Sequence, residues 1–426
     1  IGGEWVDAQG GATFESEDPF SGDIWALVPR CGKAEVDAAA DAAHKAFVSG
    51  AWPAMTATAR GQMMHRLGDL ILQNAEHLAE IEVRDNGKLI AEMRSQCNYH
   101  PEWWRYYGGL CDKLEGRVMP IDKPDVFAFS RQEPVGVVGA LTAWNSPLLF
   151  IAWKCAPAIA AGNAVLLKPS SWSPLVCLEL AQVIEAAGLP KGLFSTLPGS
   201  GAVVGERLVT HPAIRKVSFT GGTETGRDIA RKAAEKFMPA SLELGGKSPT
   251  IVFADADFDV ACAGVLFGVF SSTGQSCIAG SRLIIHEKVA DEFLERFIAL
   301  ASSIRLGNPL DPDTEMGPLT SPMHRDRVLS YVKIALDEGG EVLAGGDGSH
   351  AIRHCMNPVA EAELARCARW RWICGRRRRI DDGAASDEFK RLQRGRLEAL
   401  LALAEAADCR RQRLLAYFGE ASQPCG

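Results

Sequence analysis

The chain has 426 residues, 47% apolar and 23% charged, a globular composition on a length that one hydrophobic core rarely organises. Its 46 basic and 53 acidic side chains leave a formal charge of −7, which argues against a general nucleic-acid binder. No apolar run is long and charge-free enough to span a bilayer, no export signal opens the chain, and twelve cysteines without paired metal-ligand spacing read as thiols of a cytoplasmic protein with no bound metal and no membrane partner.

The first residues, IGGEWV, read as the interior of a longer gene product. Around Glu35, AEVDAAADAAHKAFVSGAW has helical spacing and Ala-rich propensity. TARGQMMHRLGDLILQNAEHLAEIEVRDNGK repeats that pattern and predicts a stop at Gly87. Between Val126 and Trp144 the texture turns to β-branched residues punctuated by glycine, as in strands. NAVLLKPS, LVCLELAQVIEAAGLP, FSTLPGSG, AVVGERLVTHP and KVSFTGG then alternate strand with helix. That rhythm implies parallel strands joined by helical crossovers, hence an α/β doubly wound sheet. Its turns carry GSGAVVG, Gly199 to Gly205, and FTGGTETG, Phe219 to Gly226, which open onto helix starts suited to phosphate. Neither has the usual first-turn dinucleotide spacing. After Ser248 a second αβ unit begins, followed by a helix over ADEFLERFIALASS, a Pro/Gly/Asp-rich loop and a helix from about His324 to Glu338.

Two residues carry chemistry. Cys277, in SSTGQSCIAGSR, lies among hydroxyls, amides and glycines rather than the apolar neighbours of a packing cysteine. Glu243, in SLELGGKSP, stands between two leucines, where a buried carboxylate is costly to ionise. It reads either as a general base with a raised pKa or as the ion-pair partner of Lys247.

The ordered stretches AWNSPLLFIAWKCAPAIAAGNAVLLKPSSWSP, FTGGTETG, LELGGKSP and TGQSCIAGSR resemble the core signatures of the aldehyde dehydrogenase superfamily, and the resemblance runs to about residue 346. It implies a Rossmann-like cofactor-binding domain over 1–112 and 133–244, a hairpin arm for subunit pairing over 113–132, and an α/β catalytic domain from 245 to 346. It implies an enzyme that oxidises a small-molecule aldehyde with NAD or NADP and assembles as a homodimer or homotetramer. Cys277 matches the nucleophile, Glu243 the base that activates water, and Asn145 the amide that forms an oxyanion hole with the Cys277 N–H. Lys168 matches the lysine on the adenosine ribose. Gly201, Gly205 and Gly222 match the turns near adenine and pyrophosphate. Trp144, Leu244 and Gly245 match the nicotinamide half. Phe150 and Trp153 match the walls of the substrate tunnel, and their bulk implies an apolar or aromatic aldehyde.

The sequence also departs from the pattern. Ala143 replaces a common proline, and Ser171 a common glutamate whose charge would repel the 2′-phosphate of NADP. From 347 to 426 the family's remaining motifs and pairing strand give way to an Arg-rich text, including RWRWICGRRRR, like a GC-rich gene translated out of frame. The catalytic domain would then be truncated and oligomer formation doubtful. Two other readings follow from that tail: an impaired remnant that still binds nucleotide, and a basic, tryptophan-bearing nucleic-acid binder.

Overall fold

The structure is a computed structural model that describes residues 1–345 and Arg391; apart from Arg391, the atypical tail lies outside the described residues. Thr13–Glu17 (β1) and Ile24–Pro29 (β2) pair antiparallel, with an irregularity between Ser16 and Glu17. Helix α1, Lys33–Val48, buries Val36, Ala39, Ala40 and Ala43, the i, i+3, i+4, i+7 stripe that its sequence carries. After a single turn at Ala51–Ala54 (α2), the Thr56 hydroxyl accepts from the Ala59 N–H and starts α3, Ala57–Gln73. The second helical stretch of the sequence is two helices. Asn74, whose side-chain amide donates to the Leu70 carbonyl, separates α3 from α4, Ala75–Asn86. Helix α4 ends at Gly87 as the sequence predicts, with φ +81°, and a Cβ there would lie 2.8 Å from Pro318 Cγ, so glycine is needed for both reasons. The long α5, Ile90–Leu110, follows.

Val118–Met119 (β3) and Ala128–Phe129 (β4) form a separate antiparallel hairpin. It exposes Val118, Met119, Phe127 and Phe129. Then the alternation begins: β5 (Val137–Leu141), α6 (Pro147–Ala160), β6 (Ala164–Lys168), α7 (Leu175–Ala186), β7 (Phe194–Thr196), a wide turn at Gly201–Gly205 running into α8 (Glu206–Thr210), β8 (Ile214–Gly221), α9 (Thr223–Glu235) and β9 (Ala240–Leu244). The five strands are parallel in the order β7-β6-β5-β8-β9. Central β5 is buried at all five positions, as a strand covered on both faces must be. The order reverses between β5 and β8, so the crevice beyond their carboxyl ends is where a ligand fits in such a sheet.

A second core begins after this sheet. Pro249–Val252 (β10) pairs in parallel with Arg282–Ile285 (β11). The helices Phe258–Phe270 (α10) and Ala290–Ser302 (α11) pack on the pair through Val265, Phe270, Phe293 and Phe297. Helix α12, Pro322–Asp337, is capped by the Ser321 hydroxyl, which accepts from the His324 N–H. The first core, from Cys31 to Met238, is distinct from this one. The chain is therefore α/β with two cores. Among the described residues no helix is long and apolar enough to cross a membrane.

Candidate active site

Three segments meet where the two cores adjoin. The first leaves the end of β5, where the Thr142 N–H donates to the Lys168 carbonyl and the Ser173 hydroxyl to the Trp144 carbonyl. These bonds fix the turn that carries Asn145. The second is the loop from Ser271 to Ser281. The Asn145 side-chain amide donates to the Gln275 carbonyl at 2.7 Å, two residues before Cys277, and the Gln275 side-chain oxygen accepts from the Thr320 N–H at 3.0 Å. The third is the end of β9, where a Cβ on Gly246 would lie 3.0 Å from the Cys277 carbonyl.

Cys277 is exposed, whereas Cys31, Cys97, Cys111, Cys155, Cys177 and Cys262 are buried. Burial pushes the thiols of Cys31 and Cys155 up to about 11 and about 12, so these side chains stay protonated and inert at neutral pH.

Glu243 departs from expectation. It lies exposed on β9, the edge of the sheet, in a strand whose positions alternate between exposed and half-buried. The two leucines flanking it belong to the other face, so they do not enclose its carboxylate. Its carboxylate is therefore open to solvent rather than enclosed, and among the described residues no ion pair joins Glu243 to Lys247. What the sequence did not single out is Lys154, buried on α6, whose ammonium donates to the Ser218 hydroxyl at 3.1 Å and feels the Glu243 charge. Burial brings that ammonium down to about 8.

The glycine turns and their neighbours fit a dinucleotide. Gly222 caps α9 without a side-chain cap, and nothing lies within 4 Å of where its Cβ would be, nor at Gly201 or Gly245. That leaves the first N–H groups of a 13-residue helix free for an anion. Lys168 is 6% exposed, its ammonium donates to the Pro169 carbonyl, and burial lowers it to about 8. Gly205 lies against its aliphatic stem. The Ser171 hydroxyl donates to the Gly199 carbonyl at 3.0 Å, which places it beside the first glycine turn. Gly226 was not singled out by sequence, yet a Cβ there would stand 2.5 Å from Leu244 Cδ2, so the helix approaches the end of β9 closely.

The aromatic positions separate. Phe150 is buried and meets Trp153 edge-on at 5.9 Å, while Trp153 is 42% exposed. Trp153 also meets Trp103 of α5 at 6.0 Å, and Trp103 meets Tyr99 at 6.2 Å. Trp144 faces His324 of α12 at 4.3 Å. The resemblance marks Phe150 and Trp153, but nothing local in α5 marks Trp103 as their neighbour.

A family model described as the aldehyde dehydrogenase family matches residues 5–367, and another described as RecQ zinc-binding matches residues 373–426, outside the described residues. A (Z)-2-((N-methylformamido)methylene)-5-hydroxybutyrolactone dehydrogenase of Acinetobacter baylyi is 44% identical over 346 residues, 81% of this chain and 70% of that protein. Human cytosolic 10-formyltetrahydrofolate dehydrogenase is 40% identical over 352 residues, 82% of this chain but 39% of that protein's length. A Bacillus cereus aldehyde dehydrogenase, solved as an NAD+ complex, superposes with TM-score 0.79 at 40% identity, over 81% of this chain and 70% of that one.

Proposed function

Because the chain belongs to the aldehyde dehydrogenase family, we propose that it oxidises an aldehyde, apolar or aromatic, to the carboxylic acid with NAD or NADP, using Cys277 as nucleophile. The observation that carries this reading is the bond from the Asn145 amide to the loop of the one exposed thiol among the described residues. The Cys277 thiolate adds to the aldehyde carbon, forming a C–S bond and an oxyanion. The Asn145 amide and the Cys277 N–H stabilise that oxyanion, the amide turning from the Gln275 carbonyl toward the new charge. Bound NAD(P) would supply the acceptor for the hydride on the same carbon. Glu243 then takes a proton from water as the water oxygen attacks the resulting thioester, the C–S bond breaks, and acid and thiolate separate. An exposed carboxylate has ready access to water, which suits this second half of the reaction.

Lys168, Ser171, Gly201, Gly205 and Gly222 would hold the adenosine and pyrophosphate, and Trp144, Leu244 and Gly245 the nicotinamide half. Phe150 and Trp153, joined by Trp103, supply an apolar wall for the aldehyde. The exposed Phe127–Phe129 hairpin suits contact with a second copy of the chain. One observation favours a second reading, a nucleotide-binding protein without turnover: a different family model matches residues 373–426, after the aldehyde dehydrogenase match ends at 367.

The test is nicotinamide absorbance with a panel of aldehydes, using the full chain and its Cys277→Ala and Glu243→Gln variants. Turnover that vanishes in the first and stalls at acid release in the second is expected. Unchanged turnover in the Cys277 variant refutes the nucleophile, and NAD(P) binding without turnover in the parent chain supports the second reading.

A further inference from the structure

The junction between α4 and α5 carries two oppositely charged side chains four residues apart, and neither belongs to the chemistry described above. Lys88 is 2% exposed, and its ammonium donates to the Ser146 hydroxyl at 2.7 Å, next to Asn145. Its backbone is set by the Asn86 side chain, which accepts the Lys88 N–H at 3.1 Å, and by Gly87 in the left-handed turn. Glu92, in the first turn of α5, accepts the Ser272 N–H at 2.8 Å, while its second oxygen is buried without a partner. Glu82 and Glu92 are the acidic neighbours of Lys88.

The segment that Glu92 holds is unusual. Ser272 and Thr273 have φ of 53° and 57°, a region that non-glycine residues rarely occupy and that persists only when the surroundings impose it. From Ser272 the chain runs to Gln275, whose N–H donates to the Ser272 carbonyl at 3.0 Å and whose carbonyl accepts the Asn145 amide. A closed circuit results: Lys88 to Ser146, Asn145 to Gln275, Ser272 to Glu92, and back along α5 to Lys88. It joins the turn after β5 to the Cys277 loop, and so one core to the other.

We propose that Lys88 and Glu92 are positioning residues for the oxidation, Lys88 holding the Asn145–Ser146 turn and Glu92 holding the strained start of the loop that carries Cys277. The proposal rests on the functional reading above for its consequence, but the circuit exists independently of turnover. Neither side chain touches the reacting atoms. Their effect is to keep the oxyanion donor and the nucleophile in one register, and small displacements of such groups cost rate rather than affinity.

The experiment compares the full chain with Glu92→Leu, Glu92→Gln, Lys88→Met and Ser146→Ala. Hydrogen exchange is read on peptides covering residues 271–282 and 137–147, NAD affinity by tryptophan fluorescence, and kcat and KM where turnover is measurable. Glu92→Leu should speed exchange in 271–282 at least tenfold, while Glu92→Gln, which keeps an acceptor oxygen, should stay within twofold. Lys88→Met and Ser146→Ala should each speed exchange around residues 145 and 146. All but Glu92→Gln should lower kcat at least tenfold with KM and NAD affinity within twofold. Should the larger replacements fail to fold, Ser146→Ala removes one hydroxyl and carries the test. Parent-like exchange and kcat in the folded variants, or failure of Glu92→Gln to restore them, would overturn the proposal. If Cys277→Ala turns over normally, the functional reading fails instead, and the exchange measurements still decide whether the circuit holds the two loops.

Discussion

Lys168 gives the sharpest test of the cofactor site, because burial has brought its ammonium into the range of ordinary buffers. With a pKa of about 8 in the free protein, the side chain is about nine tenths charged at pH 7 and about one tenth at pH 9. A lysine with a lowered pKa loses its charge as pH rises, so any contribution to anion binding fades on the alkaline side. The 2′-phosphate of NADP needs that charge far more than the neutral ribose hydroxyl of NAD. If the protonated form alone binds the phosphate, the Kd for NADP rises about tenfold between pH 7 and 9, or about 1.4 kcal/mol, while the Kd for NAD changes little. Phosphate binding in turn stabilises the ammonium, so saturating NADP should move its titration upward. The assay is quenching of tryptophan fluorescence by each cofactor across this interval, which needs no turnover. Lys154 titrates in the same interval, so Lys168→Met is the control: its NADP affinity should be weak and flat with pH. Equal pH dependence for both cofactors, or dependence that survives in Lys168→Met, would show that this ammonium does not face the phosphate.

Ser171→Glu should weaken NADP by about 1–3 kcal/mol relative to NAD, through like charge in a partly desolvated site, and exclusive NAD binding by the parent chain would make Ser171 a bystander. Gly226→Ala should gain less than the about 1 kcal/mol of its helix propensity, because its Cβ would stand 2.5 Å from Leu244 Cδ2 and that side-chain end must move aside. Urea denaturation measures the balance, and the full gain of about 1 kcal/mol in the variant would refute the close approach.

Much of this could be read from the chain. The strand and helix rhythm after residue 133 is local, and the stop at Gly87 is a backbone requirement that glycine announces. The motifs name Asn145 and Cys277, and the structure bonds the Asn145 amide to the Cys277 loop. What failed was information that depends on distant pairing. Glu243 looked enclosed because its sequence neighbours are leucines, but exposure follows from β9 lying at the sheet edge, which strand order alone determines. The link from Asn145 to Gln275 crosses 130 residues, and the partnership of Trp103 with Trp153 joins separate helices. The break at Asn74 was hidden because both flanking helices keep the same apolar period. The resemblance reached about residue 346, while the family model extends to 367 and the text beyond matches a different one.

The strand order has a consequence for synthesis on the ribosome. β5 is made before β6, which settles on one of its edges with β7 beyond it, but its other edge pairs only with β8, a much later segment. Until β8 emerges, Val137 to Leu141 offers an unpaired apolar ribbon, the kind of edge that recruits other nascent chains. Parallel pairing across so long an interval is slow. Overproduced chain should therefore partition into aggregates according to translation rate and temperature, and the vulnerable interval closes when residues 214–221 leave the exit tunnel and complete the middle of the sheet.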